Sequence, residues 1–168
     1  MRADDIPVAH TPPGGYDEMP APILAGCTEP LVAGAPDMRG VWRVVAIEWK
    51  SGDAPHPNPV AHHVERIEQC GDRVCITSSG VIHDMRADGT AERGVNDVAA
   101  ANGQAISVVC TFESGVHTLR PVGMPGIEVT RRLEGEQLVW DYGPMFTARL
   151  ERVLREAEAQ TEPSREEE

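Results

Sequence analysis

The chain has 168 residues, a formal net charge of -12 and 40% hydrophobic content, which fits one soluble domain with a proper core. The acidic balance opposes binding to nucleic acid or to an anionic membrane surface, because both need a basic patch. No apolar run approaches the roughly 18 residues of a membrane-spanning helix, and no basic stretch followed by an apolar one marks a secretory leader.

Residues 1–37 carry PP, GG, PAP, EP and AP elements. Proline fixes φ and removes a donor, so this stretch reads as a Pro/Gly-rich extension and not as a long helix or central strand. Its first fifteen residues are expected to be mobile. Residues 20–37 hold Ile23, Leu24, Leu31 and Val32. They are expected to lie on the domain surface or across one end, and they offer an arm to a second copy of the chain. Of the four cysteines, Cys70 and Cys75 flank the predicted turn CGDRVC and could face each other. With no leader, free thiols in a reducing cytoplasm are expected for all four. Arginine supplies nearly all the positive charge and Lys50 is the sole lysine, a compositional hint of a GC-rich bacterial genome.

From Gly40 the texture changes. Short runs rich in β-branched and aromatic residues alternate with turn dipeptides, as in antiparallel hairpins. The predicted strands are 41–50, 61–70, 73–79, 81–87, 91–97, 105–113, 116–122, 126–134, 137–142 and 145–154. Alternation puts Ile106, Val108, Cys110 and Phe112 on one face, then Ile127, Val129 and Leu133, then Leu138, Trp140 and Tyr142. A meander this long curls and closes to hide its edges. The expected fold is therefore all-β: a closed antiparallel up-and-down barrel of about eight to ten strands spanning residues 38–154. Residues 155–168, EPSREEE at their end, read as an acidic disordered tail.

Gly40-Val41-Trp42 at the first strand resembles the G-x-W motif of lipocalins and related calycins. The strand number is closer to their fatty-acid-binding-protein branch. The resemblance implies that Trp42 plugs the narrow end and that an Arg of the last strand, Arg149, packs across its ring. The further glycines and late His of the haem-binding nitrobindin branch are missing, so no haem, no other cofactor and no metal is expected.

A calycin barrel encloses a small ligand. The residues expected to line it are Arg131, Tyr142, Trp140, His83, Met85, Cys110 and Phe112. Arg131 interrupts an apolar face and would be a buried cation suited to a carboxylate or phenolate. His83 could hydrogen-bond a ligand or act as a base. His117, beside a turn, reads as an exposed edge residue. His56, His62 and His63 cluster near one loop, but adjacent strand residues face opposite ways, which argues against a metal site. Residues 51–60 read as a Pro-stiffened lid. Ser78, Ser79 and Ser107 lack a nucleophile-elbow context, and no catalytic residue is assigned. The resemblance thus implies an intracellular carrier or sensor of a small hydrophobic molecule. The alternatives are a cofactor-independent isomerase or cyclase on the same barrel, or a filled barrel serving as an interaction module.

Overall fold

The computed structural model describes residues 1–91 and 105–153. The predicted strand 91–97 therefore falls almost wholly outside the described residues, as does the tail 155–168. The described residues form nine strands. They are β1 (Gly40–Trp49), β2 (Val64–Cys70), β3 (Arg73–Ser78), β4 (Val81–Arg86), β5 (Val108–Glu113), β6 (Val116–Pro121), β7 (Glu128–Glu134), β8 (Gln137–Gly143) and β9 (Phe146–Arg152). All neighbours are antiparallel, in the order β4-β3-β2-β1-β9-β8-β7-β6-β5. Pairing of β1 with both β2 and β9 wraps the sheet round. The seam between β4 and β5 is joined by an isolated bridge, Asp88 to Thr111, and by the Gly89 amide donating to Cys110 O at 2.8 Å. The barrel is thus nearly closed.

The turns follow the sequence. Ser79-Gly80 and Ser114-Gly115 both adopt positive φ at both positions, the requirement of a two-residue type I′ hairpin. Period-two alternation then puts Val74, Ile76, Met85, Val108, Cys110, Val129, Leu138, Trp140, Phe146, Ala148 and Leu150 into one buried cluster with Trp42 and Met38.

Trp42 is fully buried at the narrow end, its Nε1 donating to Met38 O at 2.8 Å. The guanidinium over its ring is that of Arg152, 4.3 Å from the ring centre, and Arg149 instead lies at the surface, paired with Glu134 at 2.9 Å. This corrects the expectation for Arg149. The inward face of β9 runs Phe146, Ala148, Leu150, and two further residues reach Arg152. Gly40 is needed here: a Cβ on it would meet Arg152 Nη1 at 2.6 Å, so a side chain would push the guanidinium off the indole.

Residues 3–11 are hydrogen-bonded to the barrel. Arg73 and Asp84 point outward from β3 and β4, yet both are buried. Their bidentate pair spans 2.8 and 2.6 Å. The spare donors of Arg73 reach the carbonyls of Ala3, Ile6 and Pro7, and Asp84 accepts the Ala9 amide. Further along, Arg66 donates to Pro20 O, Glu68 accepts from the amides of Ile23 and Leu24, and Gln69 bonds both Met38 N and Pro36 O. Residues 1–29 thus lie along the outer side of β2, β3 and β4, and residues 32–38 cross the Trp42 end of the barrel, where the Gly115 amide donates to Gly34 O and Met38 enters the core. A second apolar cluster under residues 1–29 contains Ala3, Leu24, Cys70, Cys75 and Ile82.

That cluster contains a disulfide between Cys27 and Cys70, with Cα atoms 5.9 Å apart. This corrects the free-thiol reading for these two residues. Cys75 is not opposite Cys70, because the register pairs Cys70 with Arg73 and Cys75 with Glu68. Cys75 and Cys110 are free and buried. Such a bond is at home in an oxidising compartment.

Two outcomes are expected. Arg73→Met leaves Asp84 as an unpaired buried charge, so stability falls by about 3–5 kcal/mol in urea melts. Limited proteolysis of that variant should cut within residues 1–15 before it cuts the barrel. Cys27→Ser opens a loop with a sequence separation of 43, and chain entropy alone puts the loss at about 4 kcal/mol. Dithiothreitol on the native chain should shift the urea midpoint in the same direction.

Candidate functional site

The inward residues fall into layers set by the strand registers. At the narrow end, Trp42, Met38, Ile67, Leu138 and Leu150 fill the barrel completely. One layer up, β7 places Arg131 between His117 of β6 and Trp140 of β8. From the opposite wall β2 presents Glu65, which is 0% exposed. Arg131 Nε and Nη2 each donate to one carboxylate oxygen of Glu65 at 2.9 Å. The guanidinium also lies 4.8 Å from the centre of the Trp140 ring, worth about 0.5–2 kcal/mol. Burial alone would favour the acid form of Glu65. Arg131 and the His63 hydrogen bond outweigh it and hold the carboxyl down at about 2.

His63 stands just before β2 and continues this inward face. Its Nε2 is 2.9 Å from Glu65 Oε2, and its Nδ1 is 3.4 Å from Ser79 Oγ. An ionised carboxylate can only accept, so Nε2 carries a proton, and Nδ1 faces the Ser79 hydroxyl. The ring is therefore held in one orientation between the carboxylate and the hydroxyl. Its face packs on Trp140, with ring centres 4.7 Å apart.

Above this layer the barrel is open. A cavity of about 410 Å³ is lined mainly by apolar side chains, among them Ile76, Val108, Leu119, Val129 and Phe146. Trp140, Tyr142 and Phe146 form an aromatic wall: Phe146 is edge-on to Trp140 at 5.0 Å and stacked on Tyr142 at 5.5 Å. Pro59 and Val60 reach the cavity from the loop after β1, and Met145 from the turn between β8 and β9. From the proposed lid, residues 51–60, only Pro59 and Val60 reach it; residues 51–57 are exposed.

Of the residues expected to face a ligand, Arg131, Trp140, Tyr142, His83 and Met85 line the cavity. Arg131 does so as half of an ion pair, not as a lone cation. Cys110 and Phe112 point inward but lie below the cavity: Cys110 Sγ contacts Met85 Sδ at 3.2 Å, and Phe112 packs on His117 at 5.3 Å. Burial pushes the Cys110 thiol up to about 12, which makes it a poor nucleophile. Sequence reasoning did not single out Glu65 or Phe146 and took His63 only as part of an unlikely metal cluster. It read His117 as exposed, whereas His117 is 0% exposed. Period two counted back from Leu119 places His117 on the inner face, and its cross-strand partner is Phe112.

Neither ring nitrogen of His117 has a hydrogen-bond partner among the described residues. Burial and the nearby Arg131 charge lower its pKa to about 3. The unfolded chain therefore takes up a proton near the ordinary imidazole value that the folded chain refuses. Between about 6.5 and about 3 the unfolded state holds more protons, so stability falls as pH falls. Glu65 adds loss in the same direction, but only as pH drops from the ordinary carboxylate range toward about 2. His117→Leu should flatten the upper part of this slope. Between about pH 7 and pH 4 the stability of the variant, from urea melts, should change by a few kcal/mol less than that of the native chain, and the two orphan nitrogens no longer cost desolvation.

No family model matches the sequence, and no curated protein matches it. Solved structures do match. Human cRBP IV aligns with TM-score 0.51 and 16% identity, over 70% of this chain and 98% of its own. A point mutant of the REP1-NXSQ fatty acid transporter aligns with TM-score 0.53 and 16% identity, over 70% of this chain and 98% of its own. At this identity the likeness establishes architecture. The chain has a calycin-like fold, a nearly closed antiparallel barrel similar to those of these two proteins.

Proposed function

We propose that this protein binds a small hydrophobic molecule inside its barrel, as a carrier or sensor. The observation that carries the reading is the cavity of about 410 Å³. It sits above a filled narrow end, has apolar walls, and ends on one compact polar cluster. Its size lies in the lower part of the roughly 300–1,000 Å³ typical of small-molecule sites. Burial of an apolar ligand supplies affinity, at about 25 cal/mol per Å² of area removed from water. Tyr142, His83 and the Arg131 cluster supply orientation. The names of the two structural neighbours, a cRBP and a fatty acid transporter, support the same class of ligand.

A second reading, catalysis on the bound ligand, draws on one feature. Ser79, His63 and Glu65 form a hydrogen-bonded row at the cavity, and a His oriented by a carboxylate is the usual form of a general base.

The test is native mass spectrometry of protein purified from its own host, followed by titration of the emptied protein with an apolar fluorescent probe. One bound molecule per chain is expected. Leu119→Trp, which places an indole in the lumen, should weaken binding about tenfold or more, or about 1.4 kcal/mol, with the fold intact by circular dichroism. An unchanged affinity in that variant removes the lumen as the site. Turnover of the bound molecule that is lost in His63→Ala would move the reading to catalysis.

A further inference from the structure

We infer that the ligand is an uncharged apolar molecule with an acceptor oxygen at its inner end, such as a ketone, aldehyde, ester or alcohol, and that free carboxylates are selected against. This rests on the carrier reading above and narrows it.

The argument is one of charge and hydrogen-bond balance at the cavity floor. Among the described residues lining the cavity, Arg131 is the one arginine or lysine. Its charge is already matched: Glu65 occupies Nε and Nη2 with both oxygens. Both ring nitrogens of His63 are already engaged, Nε2 by Glu65 and Nδ1 by the Ser79 hydroxyl. The Arg131–Glu65 pair is therefore neutral as a unit. A carboxylate placed on it would lose its water shell without a free cation to replace it, and would meet the like charge of Glu65.

A neutral acceptor meets the opposite situation. The Trp140 ring lines the cavity, and its Nε1 is buried without a hydrogen-bond partner among the described residues. Among the described residues Glu65 leaves Arg131 Nη1 as a donor at the floor. The Tyr142 phenol, which can donate or accept, stands higher in the wall.

The experiment compares dodecanol and methyl dodecanoate with dodecanoate, by calorimetric titration of the full chain at about pH 8, where an ordinary imidazole is neutral. The alcohol or the ester should bind at least about tenfold tighter than the carboxylate. Glu65→Gln frees the guanidinium, and dodecanoate should then gain about tenfold or more. Glu65→Gln combined with Arg131→Gln restores a neutral floor and should show no such gain. That double variant and the native chain decide the matter if the single variant does not fold. Tighter binding of dodecanoate than of both neutral probes by the native chain overturns the inference while leaving the carrier reading in place. If none of the three binds, the carrier reading fails and this inference with it.

Discussion

The interior of this barrel is organised by one interaction, the bidentate pair of Arg131 and Glu65 across the lumen. The two residues come from opposite walls, on β7 and β2, and each is buried. Below them the narrow end is filled by hydrocarbon and the Trp42 indole. Above them the barrel is hollow. A buried ion pair rarely adds much net stability, because desolvation of two charges offsets their attraction. A pair of apolar residues of similar volume would fill the same layer at no such cost. What the pair does provide is a fixed polar surface at the bottom of an apolar well, with His63 and Trp140 locked against it by a hydrogen bond and by ring stacking.

A second buried pair, Arg73 with Asp84, works on the other side of the same wall. It too is bidentate. Its spare donors go to backbone carbonyls of residues 3–7, so it anchors a segment of chain and leaves no donor for a ligand. The consequence is visible in β3, where all six residues from Arg73 to Ser78 are buried. An antiparallel sheet commonly has one face in water. Here β2, β3 and β4 have a core on each side, and the strands that carry Glu65 and His83 are braced from outside.

How much of this is legible in the sequence depends on how far apart the partners lie. Local alternation was enough for the meander and for the shared faces of β5, β7 and β8, and the G-x-W resemblance was enough for the burial of Trp42. The same alternation, followed from Leu150, would have chosen Arg152 over Arg149. It was not enough for Glu65. In HHVERIE a glutamate on a strand looks like a solvent-facing residue, and the arginine that permits its burial is 66 positions away. The Cys27–Cys70 bond spans 43 positions and crosses from the extension to the barrel. Proline-rich composition suggested looseness for residues 1–15. It carries no information about the carbonyls that such a segment can offer to a buried guanidinium.

The difference between the two pairs also bears on why the inner one persists. Arg73 uses all of its donors within the chain, so its burial is complete without any further partner. Arg131 does not. It shares its layer with an indole N–H that has no acceptor and with His117, whose nitrogens have no partner among the described residues. Unsatisfied buried polar groups cost about 1–3 kcal/mol each, and a fold selected for stability alone would have replaced them. Three of the five buried side-chain nitrogens and oxygens that lack a hydrogen bond among the described residues belong to His117 and Trp140. Their concentration in the layer of the Arg131–Glu65 pair makes that layer the least satisfied part of the interior among the described residues, and the pair is what holds its polar groups in place.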